Sequence, residues 1–155
     1  MIHIKTAHNL LKLFHPEFVE VDSAVFLADE LTQGSKPSSS HDKTATESFI
    51  NHVHILDRFR HAAGLDGDNP EEAFYDSSHP DFKLGCEVAK TLALIWLRKL
   101  KAEFPGYRFR VYYTEQDNPV IRFHRVHEGE ANWLDESDWR EDVAQGKVVV
   151  YDTGA

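Results

Sequence analysis

The sequence has one cysteine and no long apolar run, and each scarcity excludes a class of protein. Cys86 has no second cysteine to pair with among the 155 residues, so the fold does not depend on an oxidising compartment. The longest unbroken apolar run covers 92–97, far fewer than the ~20 residues that span a bilayer. The first residues also lack the continuous apolar core of a signal peptide. We therefore expect a cytoplasmic protein with no membrane partner.

The motifs of the commonest nucleotide, hydrolase and zinc-ribbon sites are also missing. The patterns GxGxxG, Walker A, GxSxG and CxxC do not occur, which excludes those sites as they are usually built. A run that begins at Asp66 resembles the start of a calcium loop, but Glu71 stands where that loop needs glycine. The sequence therefore identifies no cofactor.

What the chain does have is an excess of acid. It contains 17 Lys and Arg side chains against 26 Asp and Glu, a formal net charge of -9. A field of this sign repels phosphate backbones, so duplex nucleic acid is not an expected partner. Apolar residues make up 41% and aromatic residues 12% of the chain, as in globular proteins. The length fits one domain over 1–155.

Two segments have the apolar spacing of helices. Thr44-x-x-Glu47 has the pattern of a capping box and predicts a helix over about 45–63. Ser78-His79-Pro80 predicts the start of a second helix over about 81–103. The second has so wide an apolar face that we expect it to form the centre of the core, with Cys86 as a packing residue.

Alternating apolar residues predict strands elsewhere in the chain. They indicate a hairpin over 107–126 and single strands near 19–28 and 147–152. We therefore predict an α+β fold, in which a small antiparallel sheet contains the hairpin and both strands. The two main helices are expected to pack on one face of this sheet.

The predicted hairpin concentrates the positive charge of this acidic chain. Placing the apolar residues of both strands on one face fixes the register, with a three-residue loop at 116–118, and sends Arg125 to the core side. Arg110 then lies opposite His124, and Tyr112 lies opposite Arg122, with Arg108 diagonal to them. Like charges that face each other across strands are destabilising. We therefore expect a compensating group on this face.

Two interpretations of the basic face remain open. In the first, the acidic Trp segment (residues 128–142) folds back, so that its carboxylates pair with the arginines and Trp133 or Trp139 stacks on a guanidinium. Seven acidic side chains and Arg140 give this segment a net charge of -6. In the second, the face binds a small anionic ligand. Its binding residues would be Arg108, Arg110, Arg122 and His124. We favour the first.

Histidine is frequent in the first predicted helix. His54, Asp57 and His61 share one side of it, and such a set can supply ligands to a divalent metal. The alternative, which we favour, is a solvated stripe with an ion pair between Asp57 and His61. His52 falls on the apolar side, where we expect a core histidine bonded to a backbone carbonyl.

Two hypotheses for function follow. The leading one is a non-catalytic binding or interaction domain that uses the arginine-rich hairpin face and the acidic Trp segment, with a protein or a small anion as its partner. The alternative is a small enzyme, metal-dependent or acting on an anionic substrate. Its site would lie between the arginines and the set His54, Asp57 and His61.

Overall fold

A computed structural model describes residues 4–32, 42–60, 76–116 and 118–154 of the chain. The helices in these ranges are α1 (Ile4–Phe14), α2 (Ala28–Thr32), α3 (Lys43–Ile50), α4 (Ile55–Arg60), α5 (Pro80–Glu103) and α6 (Arg140–Ala144). The strands are β1 (Phe18–Val21), β2 (Ala24–Leu27), β3 (His52–His54), β4 (Phe109–Glu115), β5 (Pro119–Arg125) and β6 (Val148–Asp152). This mixture confirms the α+β class. None of these helices is long and apolar enough to cross a membrane.

The main sheet has four antiparallel strands in the order β3-β5-β4-β6. The central hairpin has the predicted register, since Arg110 pairs with His124 and Tyr112 pairs with Arg122. The last ladder pair before the loop is Glu115 with Pro119, which leaves the three expected loop positions. The apolar alternation that fixes the side-chain faces therefore also fixes the pairing.

The strand predicted near 19–28 is instead a separate hairpin. Strands β1 and β2 pair with each other in a sheet that has two strands among the described residues. The chain reverses at Asp22 and Ser23, which have positive φ angles of 49° and 64°. Two consecutive residues of this kind match the twist of an antiparallel pair. The apolar alternation continues across this turn, which is why it resembled one long strand.

The helix predicted over about 45–63 is broken at Asn51. Helix α3 ends at Ile50, and the next residues leave the helix to form β3, which pairs with β5. Helix α4 follows at once, and the predicted end at 61–63 lies outside the described residues. The hydrogen bonds of the β3–β5 ladder replace the helical ones, and only the folded chain supplies that partner strand.

The capping box was also wrong. The N-cap of α3 is Asp42, whose side chain accepts a hydrogen bond from the backbone N–H of Ala45 at 2.8 Å. Thr44 and Glu47 are both buried. Asp is as good an N-cap as Thr, so the helix can begin two residues earlier and turn Glu47 inward.

The second helix is confirmed as the centre of the core. Helix α5 runs for 24 residues from Pro80, with the side chain of His79 as its N-cap. Its buried apolar side packs against the sheet through Phe82, Cys86, Ala89, Leu92, Ala93, Trp96 and Leu100. Gly85 allows α4 to pack closely against α5, because a Cβ at this position would lie 2.6 Å from Cδ2 of Leu56 in α4.

Candidate functional site

Arg108 and Arg110 of the hairpin pair with the chain's own carboxylates. Arg108 binds Asp152 of β6 through two contacts, Nε to Oδ1 at 2.8 Å and Nη2 to Oδ2 at 2.7 Å. Arg110 contacts the same carboxylate at 3.3 Å and also donates to both oxygens of Glu136, at 3.2 and 3.3 Å. Asp152 is the cross-strand neighbour of Arg110, so the final strand supplies a counter-ion that we had not predicted.

Arg122 is covered by an aromatic ring from the acidic Trp segment. Its guanidinium carbon lies 4.1 Å from the centroid of the Trp133 ring, and its Nη1 donates to the carbonyl oxygen of Ser48 at 2.5 Å. Such stacking satisfies the flat face of the guanidinium. The hydrogen-bonding edge of the guanidinium is less well satisfied, because Arg122 Nε is buried without a hydrogen-bond partner among the described residues. Ser48 Oγ is buried without a partner in the same way.

His124 is fully buried beneath this layer. Its Nδ1 lies 2.8 Å from the carbonyl oxygen of Arg125 and must carry the ring proton, so Nε2 accepts the hydrogen bond of the Tyr112 hydroxyl at 2.8 Å. Burial lowers the pKa of His124 and raises the pKa of Tyr112 to about 12. Both groups are therefore neutral near pH 7.

Taken together, these contacts describe a covered basic face. Trp133 and Glu136 belong to the acidic Trp segment, so this segment folds back onto the hairpin as the favoured interpretation expected. An anion at Arg108 or Arg110 would have to displace a carboxylate of the chain. Anion binding by Arg108, Arg110, Arg122 and His124 stays a prediction.

The Asp152 cluster predicts a pH dependence of stability. Hydrogen bonds from Arg108 are the main cause that lowers the pKa of Asp152 from 3.8 to about 2. A carboxyl whose pKa is lower in the folded state stabilises the fold above its unfolded pKa, and that stabilisation disappears as pH falls through the folded pKa. The unfolding free energy of the wild type should therefore exceed that of Asp152→Asn above about pH 4, and the difference should shrink towards pH 2.

Urea unfolding at a series of pH values measures this difference. In a background that carries Arg108→Ala and Arg110→Ala, the same Asp152→Asn substitution should produce little pH dependence, since the depressed pKa depends on these guanidinium groups. A wild-type advantage that stays constant from pH 4 to pH 2 would contradict the assignment.

A second polar cluster lies inside the fold, and the sequence did not reveal it. Glu47 of α3 is 0% exposed. One carboxylate oxygen accepts the backbone N–H of Val25 at 2.6 Å, and the other accepts that of Arg125 at 3.2 Å. The second oxygen also lies 2.7 Å from Nε2 of His127, a side chain that is 9% exposed. Burial raises the pKa of Glu47, although His127 and the backbone donors oppose this shift.

Asn51 extends the same cluster one helical turn later. Its Oδ1 accepts the backbone N–H of Leu27 at 2.9 Å, and its Nδ2 donates to the carbonyl oxygens of Val25 at 2.7 Å and Phe123 at 3.4 Å. Glu47 and Asn51 thus occupy hydrogen-bonding groups on β2 and on β5 at once. These side chains connect the two sheets through hydrogen bonds of the kind that a strand between β2 and β5 would otherwise make.

Glu130 attaches the acidic Trp segment to α3. Its two oxygens accept the backbone N–H groups of Lys43 at 3.1 Å and Thr44 at 2.7 Å. Partial burial alone would raise the pKa of Glu130, but these hydrogen bonds outweigh it and lower the pKa. The attachments of the segment therefore include Glu130 to α3, Trp133 to Arg122 and Glu136 to Arg110.

The outer side of the acidic Trp segment and of α6 is free of such contacts. Glu128, Asp138 and Glu141 are exposed, and none has an ion-pair partner among the residues that the structure describes. Trp139 and Val143, in the same part of the chain, have 38% and 40% of their surfaces exposed. This surface combines an excess of negative charge with two exposed apolar side chains.

The candidate metal ligands do not share a helix face. His54 is in β3 and Asp57 is in α4, while His61 lies outside the described residues. Asp57 accepts a hydrogen bond from Nδ2 of Asn118 at 2.9 Å, and burial is the main cause that lowers the pKa of His54. In the ranges described, no three His, Cys, Asp or Glu side chains are grouped to hold a metal ion.

His52 makes the backbone hydrogen bond that was predicted for it, but at the surface of a cleft. Its Nδ1 lies 2.5 Å from the carbonyl oxygen of Phe49, and its ring is 5.4 Å from that of His54. The side chain is only half-buried, because the break in the predicted helix places it at the edge of the sheet.

The cleft has a volume of about 710 Å³ and lies between α1, the β1–β2 hairpin with α2, and the β3–α4 segment. Its apolar lining is formed by Leu13, Pro16, Leu27, Val53 and Trp96. Two ion pairs stand at its rim, Lys12 with Asp29 at 3.4 Å and Arg58 with Glu30 at 2.5 Å. Volumes of this size are usual for small-molecule sites.

Comparison with known proteins gives one result. A family model described as the Uncharacterized protein PM0498 family matches residues 2–155, almost the whole chain. No curated protein and no solved structure matches the chain.

Proposed function

Because the chain belongs to the uncharacterised PM0498 family, we propose its function from its surface chemistry: a non-catalytic interaction domain that binds a positively charged protein partner. The binding surface is the outer side of the acidic Trp segment together with α6. The arginine-rich hairpin face, in this proposal, supports the segment from beneath and does not contact the partner.

The observation that carries the proposal is an exposed tryptophan among unpaired carboxylates. Trp139 keeps 38% of its surface exposed, although Trp133, a few residues earlier, packs on Arg122. Tryptophan is enriched among the residues that dominate binding energy at protein interfaces. Val143 extends the apolar patch on the next turn.

The negative charge near this patch determines which charge a binding partner should have. Asp138 and Glu141 lie within two residues of Trp139 and have no ion pair in the described ranges, and the whole chain has a formal net charge of -9. Complementary charge increases the association rate and excludes partners of the same sign. The expected partner is therefore a protein with a basic surface, which complements the negative charge, and with an apolar recess that can take the ring of Trp139.

Binding of defined peptides tests this proposal. A synthetic decapeptide rich in arginine and leucine should bind the immobilised protein, and its counterpart with glutamate in place of arginine should not. Binding should weaken as salt rises, because exposed charges are screened. Trp139→Ala should weaken it by about tenfold, as expected for a central interface residue.

Matched variants distinguish binding at this surface from a general attraction of a basic peptide to an acidic protein. Leu84→Ala removes another exposed apolar side chain, which is 58% exposed on α5, and should leave binding unchanged. Asp138→Lys should weaken binding more than Glu87→Lys, which makes the same charge change on α5. Equal effects of these two reversals, or full binding by Trp139→Ala, would refute the proposal.

A further inference from the structure

We infer that the cleft beside β3 is a binding site for a small aliphatic diamine, a molecule with two ammonium groups joined by an alkyl chain. This inference uses none of the residues of the proposed interaction surface. It depends on three properties of the cleft: the balance of its charges, its apolar lining and the state of its histidines.

The charged side chains of the cleft leave two carboxylates without a cation. Lys12 and Arg58 are matched by Asp29 and Glu30. The remaining carboxylates are Glu17 and Asp57. Glu17 has no ion-pair partner in the described part of the chain, and Asp57 is bonded only to the neutral amide of Asn118. Among the residues that the structure describes, the lining of the cleft therefore has two more negative than positive side chains.

These two carboxylates belong to different walls of the cleft. Glu17 immediately precedes β1, whereas Asp57 is in α4. The lining that they share with the ion pairs is apolar, and it includes Leu13, Val53 and the ring of Trp96. The indole ring is held in place, because its Nε1 donates to the carbonyl oxygen of Leu13 at 2.9 Å. An alkyl chain with an ammonium group at each end matches this arrangement.

His54, in the lining of the cleft, does not supply the missing positive charge. Burial is the main cause that lowers the pKa of His54, and the nearby Arg122, Arg58 and His52 lower it further against the opposing effect of Asp57. A neutral imidazole can accept a hydrogen bond from an ammonium group. The ring of His54 therefore adds a hydrogen-bond acceptor for a cation and does not repel it.

Isothermal titration calorimetry at low salt tests the inference with three probes. Putrescine, a diamine, should bind with one-to-one stoichiometry. Butylamine carries one ammonium group on the same alkyl chain and should bind about tenfold more weakly, since a charged hydrogen bond is lost. Succinate has the same chain length with two carboxylates and should not bind.

Substitutions then locate the site. Asp57→Asn and Glu17→Gln should each weaken putrescine binding by about tenfold. Glu87→Gln, an exposed carboxylate on α5 outside the cleft, should not change it. Thermal unfolding of each variant without putrescine verifies that it is folded.

Three outcomes would overturn the inference: no heat of binding with putrescine, equal affinities for putrescine and butylamine, or several weak sites that are insensitive to both cleft substitutions. The last result would indicate only a general attraction of diamines to an acidic protein.

Discussion

Replacing Glu47 with alanine should lower the free energy of unfolding at pH 7 by about 3–5 kcal/mol, because several buried groups lose the carboxylate to which they are hydrogen-bonded. The substitution leaves the backbone N–H groups of Val25 and Arg125 without an acceptor, and it leaves His127 without its carboxylate. Each buried donor that loses its partner costs about 1–3 kcal/mol. Urea unfolding followed by circular dichroism measures the change.

The comparison with an exposed glutamate isolates the effect of burial. Glu128 is exposed and has no ion pair among the described residues, so Glu128→Ala should change the unfolding free energy by less than about 0.5 kcal/mol. Glu47→Gln keeps an acceptor and should be less harmful than Glu47→Ala. A loss below about 1 kcal/mol in Glu47→Ala would show that Glu47 does not connect the two sheets.

The second large effect is expected at Phe123, where alanine should cost about 3–5 kcal/mol. Its ring is fully buried and has edge contacts with Phe18, Trp96 and Phe109, at centroid distances of 5.4, 6.1 and 6.4 Å. These partners come from β1, from α5 and from the neighbouring strand β4. Truncation therefore leaves a cavity where the two sheets and the main helix meet.

Phe49→Ala is the matched control, because the same chemical change is made at a side chain that is 69% exposed. It should alter the unfolding free energy by less than about 0.5 kcal/mol. If Phe123→Ala does not fold, Phe123→Leu keeps most of the volume and should still lose stability measurably. Equal midpoints for Phe49→Ala and Phe123→Leu would contradict the assigned core.

The sequence predicted well those elements whose pattern is local and repeated. Helix α5 combines a proline at its start with a wide apolar face over 24 residues, and the β4–β5 hairpin alternates on both strands. In both cases the side-chain period alone fixes the structure. The covering of the arginines was also predictable, because like charges on one face of a sheet require a counter-ion.

The remaining elements depend on partners that are distant in sequence. Residues 52–54 continue a helical pattern, and only the exposed edge of β5 makes a strand more favourable there. In the sequence, the position of Glu47 is equally compatible with a capping box and with a buried hydrogen-bond acceptor. The choice between them depends on Val25 and Arg125, which sequence spacing does not bring together. Trp139 and Trp133 likewise cannot be distinguished by sequence, although one is exposed and the other covers Arg122.

The connection between Glu47, Asn51 and β2 has a consequence for self-association. A two-stranded hairpin normally presents open edges on which a second chain can add a strand, the first step of many aggregates. On β2 the N–H and carbonyl groups of Val25 and the N–H of Leu27 are already occupied by the side chains of Glu47 in α3 and of Asn51, the residue that follows this helix. Helix α3 thus closes this edge to intermolecular β-pairing without adding a strand to the sheet.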